Sequence, residues 1–229
     1  MNWGLPMTMS VSRRAFLLTM AATALSGKAW ADFNPLYDDD ARTPGLRDES
    51  LFPPAESPVD FPIEQIDLED IPERFHRQDV NWEGLDAPGT IVIDPSQRFL
   101  FLIGAEGTAM RYGVGVGKAG FAWHGDATIG MKRRWPRWLP PEEMVYRDAK
   151  AKEWVNGMPG GPENPLGARA LYLNANGVDT LYRIHGTNDP KSIGKAMSSG
   201  CIRMLNEDVA DLFERVPVGT KVIVLQASI

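Results

Sequence analysis

From about Pro88 the chain is a succession of short apolar runs separated by turn signals. Thr90–Asp94 is β-branched and stops at Pro95-Ser96-Gln97, and Phe99–Ile103 follows, which predicts a hairpin. Past a turn at Ala105-Glu106-Gly107, Met110–Gly117 sets large apolar residues against small or polar ones at every second position. That is the period of a strand with one packed face. Its glycines (Gly113, Gly115, Gly117) lack the Gly-x-Gly-x-x-Gly spacing, and no helix pattern follows, so a nucleotide loop is not indicated. Ala170–Leu173 and Thr180–His185 read as further strands, and Lys221–Leu225 as a last buried one. Between them, Val209, Leu212, Phe213 and Val216 recur at helical spacing, with Asn206 as the expected N-cap and Pro217 and Gly219 as the stop. Six strands with two short helices predict a mainly β domain.

Residues 121–167 show no such period and read as an irregular middle. Phe121, Trp123, Trp135, Trp138 and Trp154 gather here with Lys132, Arg133, Arg134 and Arg137. Pro140-Pro141-Glu142-Glu143 opens a short predicted helix reaching about Lys152, and the segment from Met158 to Gly167 must be loop. The aromatics fit either a binding lid or surface packing.

Composition changes this picture mainly at the N-terminus. Residues 32–87 hold seven prolines and sixteen acids against four bases, a net −12, whereas residues 88–229 hold fourteen acids against seventeen bases, a net +3. The first segment reads as an acidic, proline-rich arm, either disordered or lying as a ribbon on the domain through Phe61, Ile63, Ile66, Leu68 and Ile71. His76 within it reads as solvated. Residues 1–31 read as an export signal: Arg13-Arg14 precede an apolar run of about a dozen residues, and Ala29-Trp30-Ala31 offers a cleavage site. The arginine pair resembles a bacterial twin-arginine (Tat) leader, the alternatives being the general export route or an N-terminal anchor. The apolar run is shorter than the roughly 20 residues a spanning helix needs, so no stable membrane span is expected. The chain's formal charge of −6 argues against a nucleic-acid partner.

The chemistry concentrates between His185 and Cys201. This stretch contains the protein's one cysteine and one of its three histidines, each beside a glycine (Gly186, Gly200). In an oxidising compartment a single cysteine has no partner within the chain, which leaves a packed structural thiol or a nucleophile. A thiol becomes a nucleophile when a neighbouring base takes its proton. His185 is the preferred base and His124 its rival. The N–H groups of Gly200 and Cys201 are candidates for an oxyanion hole, with Ser198 and Ser199 as further donors or as turn formers. Arg203 either pairs with a substrate carboxylate or is pinned by Glu207 and Asp208. Three scattered histidines offer no metal-ligand spacing.

His185-Gly186-Thr187 together with Ser198-Ser199-Gly200-Cys201-Ile202-Arg203-Met204 resembles the signature of the YkuD-type L,D-transpeptidases of bacterial cell walls. The resemblance spans about residues 88–226 and includes Asn164-Pro165-Leu166-Gly167 and Val218-Gly219-Thr220-Lys221-Val222. One departure stands out: many members have histidine where this chain has Ser199. The resemblance implies a β-sandwich-like catalytic domain, needing no cofactor or metal, that works in cell-wall biogenesis. Cys201 would attack a peptidoglycan tetrapeptide stem, D-alanine would leave, and the thioester would pass to a neighbouring stem as a 3→3 cross-link. His185 would move the proton, oriented by a backbone carbonyl, while Gly186 and Thr187 would belong to the substrate-binding rim. Hydrolysis to a trimmed stem (L,D-carboxypeptidase) and transfer to an envelope protein's lysine are the alternative outcomes. A noncatalytic wall-binding module remains a different class.

Overall fold

The computed structural model describes residues 57–117, 123–198 and 200–227. The predicted leader, the first part of the arm, Phe121 and Ser199 lie outside the described residues. Nine strands form one mixed sheet. In chain order they are β1 (Gln78–Asn81), β2 (Ile91–Asp94), β3 (Phe99–Ile103), β4 (Thr108–Gly113), β6 (Gly125–Arg134), β7 (Arg169–Ala175), β8 (Val178–His185), β10 (Ile202–Arg203) and β11 (Lys221–Val224). Their spatial order is β1-β4-β3-β2-β11-β6-β7-β8-β10. Two pairs are parallel, β2 with β11 and β8 with β10; the rest are antiparallel. Two short strands, β5 (Val116–Gly117) and β9 (Ala196–Ser198), pair in parallel beside it.

The sheet folds over on itself to enclose one core. Ile91 and Ile93 of β2, Leu100 of β3, Tyr112 of β4, Ile129 of β6, Leu171 and Leu173 of β7, Ile184 of β8 and Val222 of β11 are all within it. One face of so many strands can line one core only if the sheet curls. A two-bond bridge between Gly115 and Arg203 draws the strands beyond β4 toward β10 at the opposite edge. The mainly β, sandwich-like expectation therefore holds.

Helix α3 (Asn206–Arg215) closes the core from one side with Val209, Leu212 and Phe213. Its first turn carries Glu207 and Asp208, acids that favour a helix N-terminus. Asn206 is not its cap. Leu205 occupies that position without a side-chain bond, and the Asn206 carboxamide oxygen accepts from Ala168 N and Thr187 N instead.

The irregular middle contains an element the residue pattern does not reveal. Gly125–Arg134 is the ten-residue strand β6, joining the two halves of the sheet between β11 and β7. Only Ala127 and Ile129 of it belong to the core cluster. Its basic end works through its stems and heads: Lys132 donates to the carbonyls of Phe213 and Val216 at the end of α3, and its ammonium lies 4.1 Å from the Phe213 ring centroid. The predicted single helix is broken into α1 (Glu142–Arg147) and α2 (Ala149–Glu153), because Asp148 leaves the helical conformation and caps the amides of Lys150 and Ala151. Trp135 is buried, packs edge-on against Phe61 at 5.5 Å and donates to Asp60, which decides that ring for packing over a lid.

From residue 57 the acidic segment lies on the domain as a ribbon. Asp60 accepts from Trp135 and pairs with Arg134 and Arg169; burial alone would push its carboxyl up, but Arg169, Trp135 and Arg134 outweigh that and hold it low. Ile71 and Phe75 join Phe99, Ile193 and Leu205 in a second small core. Arg77 faces Asp208 and Asp211 of α3. His76, expected to be solvated, is half-buried with its Nε2 on the Ile71 carbonyl.

Candidate functional site

Strands β8 and β10 set the geometry. Ile202 pairs with Ile184 and Arg203 with His185, so one residue earlier Cys201 stands across from Arg183. Ile184 and Ile202 both belong to the core. Pleating then sends Cys201, Arg203, Arg183 and His185 to the other face. His185 and Cys201 are diagonal neighbours there, one strand spacing of about 4.8 Å across and one two-residue step of roughly 6.6 Å along. Side chains on such a diagonal meet when one is as long as an imidazole.

His185 is 5% exposed and sits at the end of β8. Its Nδ1 lies 2.6 Å from the Gly186 carbonyl, which can only accept. Nδ1 therefore carries the proton and Nε2 is left as the basic nitrogen. The ring's orienting partner is thus a backbone carbonyl rather than an acid. Burial lowers the imidazole pKa to about 4, against the raising effect of Gly186, with Arg203 and Arg183 adding to the depression. At neutral pH His185 is an uncharged base.

Cys201 is half-buried. Burial pushes its thiol up; the Arg183 main-chain N–H and the Arg183 and Arg203 guanidiniums bring it part of the way back.

The loop after His185 is held by a residue whose role the sequence pattern hides. The Asn206 carboxamide oxygen accepts from the buried amides of Ala168 at 2.9 Å and Thr187 at 3.1 Å. This ties the start of β7 and the His185-Gly186-Thr187 corner to the start of α3. Gly186 is required by closeness: a Cβ there would meet Asn206 Oδ1 at 2.2 Å and Ala168 N at 3.0 Å. Thr187 is buried, and its hydroxyl accepts from Asp189 N at 3.0 Å, so it shapes the corner.

Gly200 is buried between Gly117 of β5 and Cys201. It also borders a narrow, mainly apolar cleft lined by Val116, Trp123, Tyr182 and Ile202. The Trp123 and Tyr182 rings lie 6.0 Å apart, tilted by 36°, along this cleft. Ser198 belongs to β9. Arg203 is half-buried, and the two acids proposed to pin it are engaged elsewhere: Glu207 accepts from Ile66 N and Asp208 faces Arg77. His124, the rival base, is exposed. The residue pattern does not single out Arg183, since an arginine inside a strand gives no signal of its own. Among the described residues no group of three His, Cys, Asp or Glu side chains could hold a metal ion.

The β8–β10 register thus brings a half-buried thiol and a buried imidazole to one face of a curled β domain. The family model for the L,D-transpeptidase catalytic domain, YkuD, matches residues 88–224. The chain belongs to that family. Over 157 residues it is 33% identical to YbiS of Escherichia coli K12, described as a probable L,D-transpeptidase, covering 66% of this chain and 47% of YbiS. The chain spans about half the length of the curated relatives it matches. Among solved structures, one described as a probable carnitine operon oxidoreductase from Brucella melitensis is 53% identical, covering 69% of this chain and 98% of that one at a TM-score of 0.47. An L,D-transpeptidase from Mycobacterium smegmatis is 18% identical, covering 61% and 59% at a TM-score of 0.46. At those scores neither superposition transfers a function.

Proposed function

We propose that the chain is an exported L,D-transpeptidase that acts on peptidoglycan stem peptides in the cell envelope through a Cys201 thioester and forms 3→3 cross-links. The observation that carries this reading is the β8–β10 register, which sets His185 and Cys201 diagonally on one face, within the matched family domain. The neutral His185 ring is ready to accept a proton at Nε2, and the thiol is held protonated by burial. Proton transfer therefore accompanies attack instead of preceding it. Sγ bonds to the carbonyl carbon of the third stem residue as the proton passes to His185. The oxyanion is received by the Gly200 and Cys201 N–H groups. Collapse expels D-alanine, which takes the proton back, leaving the thioester.

A stem amine then attacks and releases Cys201 as the cross-link forms; water or a protein lysine would give a trimmed stem or an anchored protein instead. Arg203 is assigned to a carboxylate of the stem, and Ser198 and Ser199 to the rim of the oxyanion site. Gly186 and Thr187 act by fixing the His185 corner. Residues 1–31 provide the export signal and 32–87 the arm.

Incubating the full chain with tetrapeptide muropeptides and weighing the products separates the outcomes. The reading expects cross-linked dimers and free D-alanine, both lost in Cys201→Ala. Product formation that survives Cys201→Ala sinks it, and tripeptide without dimer replaces the transferase by the carboxypeptidase.

A further inference from the structure

The face of β8 and β10 that bears Cys201 and His185 holds a second, buried arginine. Arg183 is 3% exposed, an uncommon place for a guanidinium. It is clamped on two sides. Its Nη1 and Nη2 fork onto Asp179 at 2.6 and 2.7 Å, and its central carbon lies 4.4 Å from the centroid of the Tyr172 ring. Tyr172 pairs with Arg183 across β7 and β8, and Asp179 lies four residues earlier in β8, so the clamp belongs to the sheet itself. A fork plus a stacked ring fixes both the place and the plane of the cation. A fixed charge in a water-poor site acts on a neighbouring charge without having to reorganise.

The site has a use for such a charge. In many thiol enzymes the histidine serves as the cation beside the thiolate. Here the imidazole is buried and neutral at physiological pH, so it takes up charge only with the thiol's own proton. Burial also disfavours the thiolate, and Arg183 acts against that twice, through its main-chain N–H and through its guanidinium. Asp179, which holds the guanidinium, acts in the opposite direction. The pair is thus a cation of set position and reduced strength.

We propose that Arg183 is a positioning residue for the Cys201 nucleophile: clamped between Asp179 and Tyr172 on the face that carries Cys201, its guanidinium supplies the fixed positive charge that stabilises negative charge on the sulfur as its proton leaves. The proposal rests on the reading of Cys201 as the nucleophile. Arg183 and Arg203 then divide the work. The clamp keeps Arg183 from swinging toward a substrate carboxylate, and Arg203 is assigned that contact.

The test is the pH dependence of Cys201 alkylation by iodoacetamide, followed by intact mass on the full chain, beside D-alanine release from tetrapeptide stems. Arg183→Met is expected to move the alkylation midpoint to higher pH and to slow alkylation at pH 7 about tenfold. Arg183→Lys should recover part of the loss. Should Arg183→Met fail to fold, Arg183→Gln, which removes the charge and keeps a polar head, is expected to show the same upward shift and decides in its place. Unmoved midpoints in the uncharged variants overturn the proposal. Alkylation needs no substrate, so its outcome is separate from the functional reading, which D-alanine release by Cys201→Ala would overturn.

Discussion

Replacing Asn206 by alanine isolates the tie that holds the His185 corner. Its Oδ1 accepts from Ala168 N at 2.9 Å and Thr187 N at 3.1 Å, and both residues are buried. Truncation leaves two buried N–H groups without an acceptor. Each such group costs about 1–3 kcal/mol, which gives about 2–6 kcal/mol for the pair, with the lower end applying if a water occupies the vacated space. That is a large fraction of the 5–15 kcal/mol that holds a typical domain together. Asn206→Asp keeps an acceptor oxygen in place and is expected to recover most of the loss. Urea denaturation followed by tryptophan fluorescence measures both, and an unchanged m-value shows that the variants unfold from the same folded state. Hydrogen exchange at the Ala168 and Thr187 amides should quicken in the alanine variant alone. If Asn206→Ala costs less than about 0.5 kcal/mol, or Asn206→Asp costs as much as alanine, the tie is not what fixes this corner.

Two further predictions concern the backbone beside Cys201 and acid stability. A Cβ at Gly117 would meet Gly200 at 2.7 Å from Cα and 2.9 Å from N, so Gly117→Ala should displace the Gly200-Cys201 backbone. A tenfold or greater loss of D-alanine release with little change in melting temperature is expected, and full activity would show that Gly200 needs no fixed backing. Asp208 is buried and its pKa is raised to about 6 from 3.8 by that burial, against the lowering effect of Arg77. The folded state therefore holds an extra proton between those values, and stability falls as pH rises through them, by about 3 kcal/mol in all. His185 does the reverse: its pKa falls from 6.5 to about 4, so stability rises with pH across that window by about 3 kcal/mol. The two slopes nearly cancel where they overlap. Asp208→Asn should be more stable than the parent at pH 7.5, lose that gain near pH 4, and lay bare the His185 slope; a gain that does not change with pH would contradict the assignment.

The parts of the fold legible in the sequence are those whose residues carry the period themselves. The β-branched runs of β2 and β11 and the Val209-Leu212-Phe213-Val216 stripe of α3 state their burial directly. Strand β6 does not. It has two glycines and a basic end, and its place at the sheet's centre comes from β11 and β7, about ninety and forty residues away in sequence. Strand β10 is two residues long, too short for any period, yet its parallel register with β8 is what sets His185 and Cys201 on one face. Asn206 looks like a helix cap because asparagine before an amphipathic run usually is one. The amides it serves instead arrive from thirty-eight and nineteen residues away. The same holds for Arg183, whose meaning depends on Tyr172 and Cys201 reaching it from neighbouring strands.

The proposed chemistry has Cys201 form a thioester with a stem peptide while His185 handles the proton. Intact-protein mass spectrometry during turnover of a tetrapeptide stem, quenched in acid, tests it most directly. An adduct equal to the stem peptide less D-alanine is expected, mapped by peptide digestion to Cys201, absent in Cys201→Ala and strongly reduced in His185→Ala. D-alanine release without any adduct at Cys201, persisting in Cys201→Ala, would contradict it.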